Sequence, residues 1–358
     1  MFYYSKRMLK SLQKKVAIDL GSTRIRLVVL DDKLVEGTNL SVSALKNRYF
    51  EEIACVARKK KSKQFLAVGR DALSMQGRLA DQVEVIFPFQ ASRIIDEAAA
   101  KFLLSDIFKR SLKGIFLNPV ALLTTVTDIS ETSKQALARL LYELHFSEVY
   151  FASQSLAAAI GAGVPVAMSQ GVLFLEMGSS QKEAAVIALG SVLRVKTSPF
   201  AGQQLQEYVL QFLETEYELQ LSQENIRKLL WQVASFSKNK QGQLRLVGKS
   251  LATQAPVEST LQTELLAPVL KRYAQDTEEL LTSLLKEVSP ELMNDILNKG
   301  MLVAGGWANM DGLEEYFIRH LGIPVAIVEQ PELVALQGAL ILLASLEAYK
   351  ESLGFVAA

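Results

Sequence analysis

The chain has 358 residues, 49% hydrophobic and 22% charged, with a formal net charge of +1. That length and apolar content exclude a disordered chain and allow two or more cores, and the balanced charge excludes bulk electrostatic attraction to nucleic acid. The single cysteine, Cys55, excludes an internal disulfide and fits an intracellular protein. The only histidines, His145 and His320, stand far apart without cysteine neighbours, which argues against a zinc site.

The N-terminus mixes Phe2, Tyr3, Tyr4, Met8, Leu9 and Leu12 with Lys6, Arg7, Lys10, Lys14 and Lys15. Such a mixture suits either a basic leader or a segment lying on an anionic bilayer. No apolar run is long enough to span a membrane; the longest, Gly338 to Leu346, is too short. Next comes Val16-Ala17-Ile18-Asp19-Leu20-Gly21-Ser22-Thr23, an apolar strand ending in a carboxylate and a Gly-Ser-Thr turn, and Ile25 to Leu30 runs back beside it. A hairpin turn of this kind offers backbone N–H groups and a hydroxyl to an anion. The Asp before it suits a metal held through water.

Residues 31–69 mix short apolar runs with turn and charge clusters, as expected of a small β-rich insertion. A short helical stretch runs from Val68 to about Gly77, and Ser92 to Lys109 has the apolar spacing of an amphipathic helix. Lys113 to Pro119 holds Ile115, Phe116 and Leu117 where loops are normally polar; these three either begin a buried strand or touch a membrane. A strand over 119–127, a capped helix over 130–144 and a strand over 148–152 follow. The second half repeats the grammar: strands at 171–176, 184–189 and 192–197, helices at 203–213 and 223–234, a strand at 244–247 and a long helix within 261–288. It closes with a strand at 301–303, a helix at 313–320, a strand at 325–328 and a last helix at 331–348. Two α/β halves, each opened by a hairpin with a polar Gly turn, point to a duplicated fold.

At this point the chain resembles the actin-like ATPase superfamily, and within it the MreB family of bacterial cell-shape proteins. Ile18 to Thr23 looks like its first phosphate motif and Gly171 to Leu189 stands where the second belongs. Ser155-Leu156-Ala157-Ala158-Ala159-Ile160-Gly161-Ala162-Gly163-Val164-Pro165 looks like the family's connecting helix, and Gly300 to Ala308 resembles its adenosine motif. Glu224-Asn225-Ile226-Arg227 is similar to the Glu-x-x-Lys turn beside ribose and adenine. The resemblance implies an α/β, duplicated actin-like (ribonuclease H-like) fold with two lobes around a nucleotide cleft. Its parts would be a possible membrane-binding segment at 1–15, a first lobe at 16–152 with an insertion at about 31–69, a second lobe at 153–329 with an insertion at about 198–260, and a C-terminal helix at 330–358 returning to the first lobe.

ATP and Mg²⁺ are the implied cofactors. Asp19 and Glu176 are the metal-linked carboxylates, and Gln154 and Glu176 the catalytic positions. Asp19, Gly21, Ser22, Thr23, Gly178, Ser179, Ser180, Gly202, Glu224, Arg227, Gly305, Gly306 and Trp307 would line the nucleotide. The match departs from the family at several of these positions. Glu176 replaces an Asp, Ser179 and Ser180 replace glycines, and Gln181 and Lys182 replace two threonines, the lysine either neutralising a phosphate or pointing to solvent. Ser153-Gln154-Ser155 stands where the family has Glu-Glu-Pro, so Gln154 either orients water without acting as a base or serves as an ordinary cap. Ala201-Gly202-Gln203 stands for Gly-Gly-Asp. Trp307 replaces a third glycine and either stacks on adenine or fills its pocket. Arg26 is expected to be solvated and Arg24 to lean on a phosphate.

The implied function is a nucleotide-dependent filament at the inner face of the cell membrane, taking part in cell shape and wall synthesis, with weak ATP hydrolysis. Self-association, a membrane surface reached by the N-terminal segment or the 115–117 loop, and membrane-bound morphogenesis proteins are the implied partners, with no nucleic acid. A non-hydrolysing actin-like scaffold and an adaptor resembling PilM or FtsA are the alternatives.

Overall fold

A computed structural model of the chain describes residues 13–30, 49–77, 82–114, 117–237, 242–350 and 353–357. The basic–aromatic leader up to residue 12, most of the first insertion and the pair Ile115 and Phe116 lie outside the described residues. The chain divides into two compact units, Met1–Val166 with Gly190–Val192 and Leu333–Ala358, and Ala167–Leu189 with Leu193–Glu332.

In the first unit, β1 (Lys15–Leu20) and β2 (Arg24–Leu30) form an antiparallel hairpin, extended by β3 (Phe50–Ile53). Next, β4 (Val56–Lys59), β5 (Phe65–Val68), the short helix α1 (Gly69–Ser74) and β6 (Val83–Ile86) build a separate small sheet in the order β5-β4-β6. This β-rich part reaches Ile86 rather than stopping at 69, because β6 completes the sheet on the free side of β4. A two-stranded ribbon, β7 (Phe89–Gln90) and β8 (Arg93–Ile94), leads to α2 (Glu97–Ser111). The helix starts at 97 rather than 92 because Asp96 is its cap, accepting from the Ala99 N–H at 2.9 Å. Then come β9 (Val120–Thr125), α3 (Glu131–Glu143), capped by Ser130, β10 (Glu148–Ser153) and α4 (Gln154–Gly161). β9 lies parallel between β1 and β10, and all six of its residues are buried. A strand covered on both faces reads as such a continuous apolar run.

The second unit repeats the plan. β11 (Val172–Met177) and β12 (Lys182–Ala188) form a hairpin, continued by β13 (Ser191–Ser198). α5 (Gly202–Tyr217), β14 (Leu219–Gln220), α6 (Gln223–Gln232), β15 (Gln243–Ser250) and β16 (Pro256–Gln262) follow, the last strands forming a three-stranded sheet. α7 (Ala267–Leu285), α8 (Pro290–Lys299), β17 (Met301–Ala304), α9 (Leu313–Leu321) and β18 (Val325–Ile327) complete the unit. β17 pairs parallel with β11, as β9 does with β1, so β18-β17-β11-β12-β13 matches β10-β9-β1-β2-β3. The duplication is thus one of topology and register.

The chain finally returns to the first unit through α10 (Val334–Ala344), α11 (Leu346–Tyr349) and β19 (Gly354–Val356), which pairs with β10. α10 is apolar almost all round and packs on α4 and the first sheet. The two helices touch where each has a glycine: a Cβ on Gly338 would stand 1.7 Å from the Ala157 carbonyl, and one on Gly161 2.0 Å from that of Val334. For that reason α4, assigned by sequence to the second lobe, belongs to the first unit. Each unit holds its own core, with Leu103, Leu123 and Val149 in the first and Leu205, Leu229 and Leu281 in the second.

Candidate nucleotide site

In the first unit, β1 and β9 bring Asp19 beside Thr124, and Gln154 follows the end of the neighbouring strand β10. Pairing in register sets Asp19 opposite Arg26 on β2 and beside Thr124 on β9. The Thr124 hydroxyl donates to Asp19 Oδ1 at 2.9 Å, and Arg26 Nη1 lies 3.4 Å from Oδ2. Burial pushes the Asp19 carboxyl above its usual range, while the Arg26 guanidinium and the Thr124 hydroxyl pull it back. Arg26 is not solvated: its Nε also meets Glu51 at 2.7 Å, and Arg24 is bonded to the other Glu51 oxygen rather than reaching for a phosphate. Both arginines act against Glu51 because β3 runs antiparallel to β2 and pairs Glu51 with Arg26.

The turn at 21–23 is braced from outside the hairpin. The Ser22 hydroxyl accepts from the Ala91 N–H at 3.1 Å, and the Thr23 carbonyl accepts from Ala54 at 2.9 Å. Gly21 folds so tightly that a Cβ would stand 2.6 Å from the Arg24 carbonyl. Gln154 opens α4 just after Ser153, whose hydroxyl caps the Leu156 N–H and sits 2.6 Å from that of Thr127. Capping therefore falls to Ser153, and the Gln154 side chain is left half-buried at the sheet end.

The second unit holds the other predicted residues. Glu176 is buried and pairs in register with Glu183 on β12 and with Ala304 on β17. The turn closes through Gly178 N–H to the Gln181 carbonyl at 3.1 Å. It then docks on α5: the Gly178 carbonyl accepts from Gly202 at 3.2 Å and that of Ser179 from Gln203 at 2.7 Å. Those first N–H groups of the helix, which in a bare terminus would face an anion, are thereby occupied by the turn.

Lys182 departs from both sequence expectations. It is fully buried, and its Nζ meets Asp276 Oδ2 at 2.6 Å, the Thr277 hydroxyl at 2.6 Å and the Tyr273 carbonyl at 3.3 Å. The ammonium also lies 4.2 Å from the Tyr273 ring centre. Desolvation lowers its pKa to about 8, the Asp276 carboxylate opposing the shift. Side chains alternate across a strand, so the position before Glu183 points to the other face of the sheet.

At the end of β17, Gly305 takes φ +95°, and a Cβ there would stand 2.4 Å from the Met177 carbonyl. Only glycine fits this approach to β11. Trp307 then donates its N–H to Met177 at 3.1 Å, so the adenosine-like turn is tied to the second hairpin. Its indole is only 6% exposed and stacks on Trp231 of α6 with ring centres 5.1 Å apart. On another side it lies over Gly202, where a Cβ would come within 1.8 Å of Nε1. The indole therefore fills space rather than offering an open face. Glu224 and Arg227 share α6 with Trp231, Glu224 pairing at the surface with Lys228 at 2.8 Å.

Sequence reasoning missed Thr124, Glu183, Trp231 and Asp276. Counting back from the four-residue turn 178–181 would have paired 176 with 183. Thr124, Trp231 and Asp276 are brought in by strand order and helix packing, for which the local sequence carries no sign.

The MreB/Mbl protein family profile matches residues 13–351. This chain belongs to the MreB/Mbl family. The cell shape-determining protein Mbl of Bacillus subtilis is 25% identical over 320 residues, covering 89% of this chain and 92% of that one. MreB of Escherichia coli is 25% identical over 272 residues, 75% of this chain and 78% of its own. Among solved structures, MreB5 of Spiroplasma citri bound to ADP superposes with a TM-score of 0.86 at 22% identity, covering 95% of this chain and 98% of that one. The MamK double helical filament gives 0.72 at 18% identity, covering 92% and 98%. The mixed α/β fold is therefore actin-like, and the MreB/Mbl chain has two sheets of duplicated plan.

Proposed function

We propose that this MreB/Mbl family chain is a nucleotide-binding, filament-forming cell-shape protein at the inner face of the membrane, with slow ATP hydrolysis. The nucleotide part is supported chiefly by the duplicated hairpins, each ending in a buried carboxylate and a tight glycine turn. MreB5 of Spiroplasma citri is solved with AMPPNP and with ADP, and MamK as a double helical filament.

The residues fit the two ends of a nucleotide unequally. The braced turns at 21–23 and 178–181 suit phosphates, whereas the indole of Trp307 occupies the space over Gly202 that the resemblance gives to the nucleoside. Both Asp19 oxygens already accept a partner, Thr124 and Arg26, and each keeps a further lone pair, so this carboxylate suits a hydrated Mg²⁺ reached through water. Slow hydrolysis follows from an amide, Gln154, standing where the family has an acid, because an amide orients water but takes no proton from it.

Titration of the full chain with ATP, with and without Mg²⁺, tests the binding, and high-speed pelleting with electron microscopy tests the polymer. Absence of binding at about 1 mM ATP would move the protein to the scaffold class. Phosphate release well below that of Escherichia coli MreB assayed in parallel is expected; equal rates would remove the slow-hydrolysis reading. Co-sedimentation with anionic liposomes, comparing the full chain with one lacking residues 1–13 and with Phe116→Ser, tests the membrane contact. Unchanged sedimentation of both variants would reject it.

A further inference from the structure

We propose that Trp307 is a gate over the nucleoside part of the site in the second unit: its indole, held between Gly202 and Trp231, must swing away before a nucleobase can settle there. The inference rests on the nucleotide-binding reading above and adds to it a residue that controls entry.

Three observations carry it. The main chain of Trp307 is held by its bond to Met177 and by the close approach of Gly305, two residues earlier, to the Met177 carbonyl, so the side chain is the part left to change position. The indole reaches Gly202 solely because that residue has no Cβ; even alanine would stand 1.8 Å from Nε1. The stack is also one ring deep. Trp307 is 6% exposed but its partner Trp231 is 47% exposed, so only a surface residue of α6 holds the indole on that side. Trp307 belongs to the buried core of the second unit, but on its Trp231 side the neighbour faces solvent and can yield. A closed gate lowers apparent affinity by the fraction of molecules in which it is open.

The chain contains only these two tryptophans, so its whole indole emission reports on this stack. Titrating the wild type with ATP should shift that emission to the red as Trp307 leaves its buried position. Binding measured separately, by anisotropy of a fluorescent ATP analogue, should be about ten-fold tighter for Trp307→Gly than for wild type if the gate is open in about a tenth of molecules. Trp231→Ala, a change at an exposed position, should tighten binding by a smaller factor. That variant decides the matter if Trp307→Gly lacks a cooperative thermal transition. Wild-type binding with no emission shift, or variants that bind no tighter than wild type, would overturn the gate while leaving the nucleotide reading standing. No binding by wild type or either variant would overturn both.

Discussion

The two hairpins that head the two units occupy equivalent places in the duplicated plan, yet they treat their carboxylate in opposite ways. In the first, the cation stands at the register position opposite the carboxylate, so Arg26 faces Asp19 on one side of the sheet. In the second, the cation comes one residue earlier on the returning strand. Lys182 therefore points to the other face, toward Asp276, and Glu176 is left opposite a second carboxylate, Glu183. A shift of one position in a strand moves a side chain to the opposite face. Hairpin one has its compensating charge built in, while hairpin two has spent its lysine on fastening β12 to α7.

The comparison breaks most readily at Arg26. Replacing it with Met leaves a buried carboxylate at Asp19 without its cation, a change that typically costs about 3 kcal/mol. Chemical denaturation of Arg26→Met should show this loss, and adding Asp19→Asn should restore part of it, since the stranded charge is then gone. A loss of under about 0.5 kcal/mol would mean that the pair is screened as a surface pair is, and that hairpin one is not self-compensated.

The second hairpin is tested at Asp276. It is 30% exposed while Lys182 is fully buried, so Asp276→Ala should cost less than a wholly buried break, about 2 kcal/mol. Here pH gives an independent check. Folding lowers the Lys182 pKa from 10.5 to about 8, so between those values the unfolded chain holds the proton that the folded chain has released. Stability therefore rises with pH across that window, and the cost of burying the ammonium is fully present only below about 8. Lys182→Met should flatten this slope in thermal melts taken from pH 7.5 to 10.5; an unchanged slope would assign it to other groups.

Hairpins, caps and the apolar strands were legible in the sequence because each rests on local signals: alternation, a Gly turn, or a Ser or Asp before a helix. The direction of Lys182 was not, since its partner Asp276 lies on a helix far along the chain and nothing near 182 announces it. α8 was passed over although Ser289 and Pro290 mark its start, because only Ile296 of its residues is buried and the apolar stripe is thin. β16 was hidden for the opposite reason. Its alternating Val257, Ser259 and Leu261 run directly into the apolar stretch that leads to α7, so the sequence reading places only a long helix within 261–288 and leaves 256–260 unassigned. At the candidate site, the family positions were legible as letters, but Trp307 could be read two ways until its neighbours Gly202 and Trp231 were known.

The finest difference between the hairpins is the neutral donor that supports the first carboxylate. The Thr124 hydroxyl bonds to Asp19 Oδ1 from the parallel strand β9, whereas the corresponding register partner of Glu176 on β17 is Ala304, which has no side-chain donor. Thr124→Val keeps the shape and removes only that bond, so at neutral pH it should cost about 1.5 kcal/mol, in the range for hydrogen bonds to a charged group. The sign of its pH dependence follows from the raised pKa of Asp19. On acidification the folded chain takes up this proton before the unfolded chain does, and the penalty for burying the carboxylate is relieved as pH falls through the raised value. The hydroxyl favours the charged form, so the gap between wild type and Thr124→Val should be widest where Asp19 is ionised and should narrow toward acid pH. Denaturation at a series of pH values measures that gap. A gap that stays constant would mean that Thr124 acts through packing of β9 alone, and the first carboxylate would then depend on its arginine and on nothing else in the sheet.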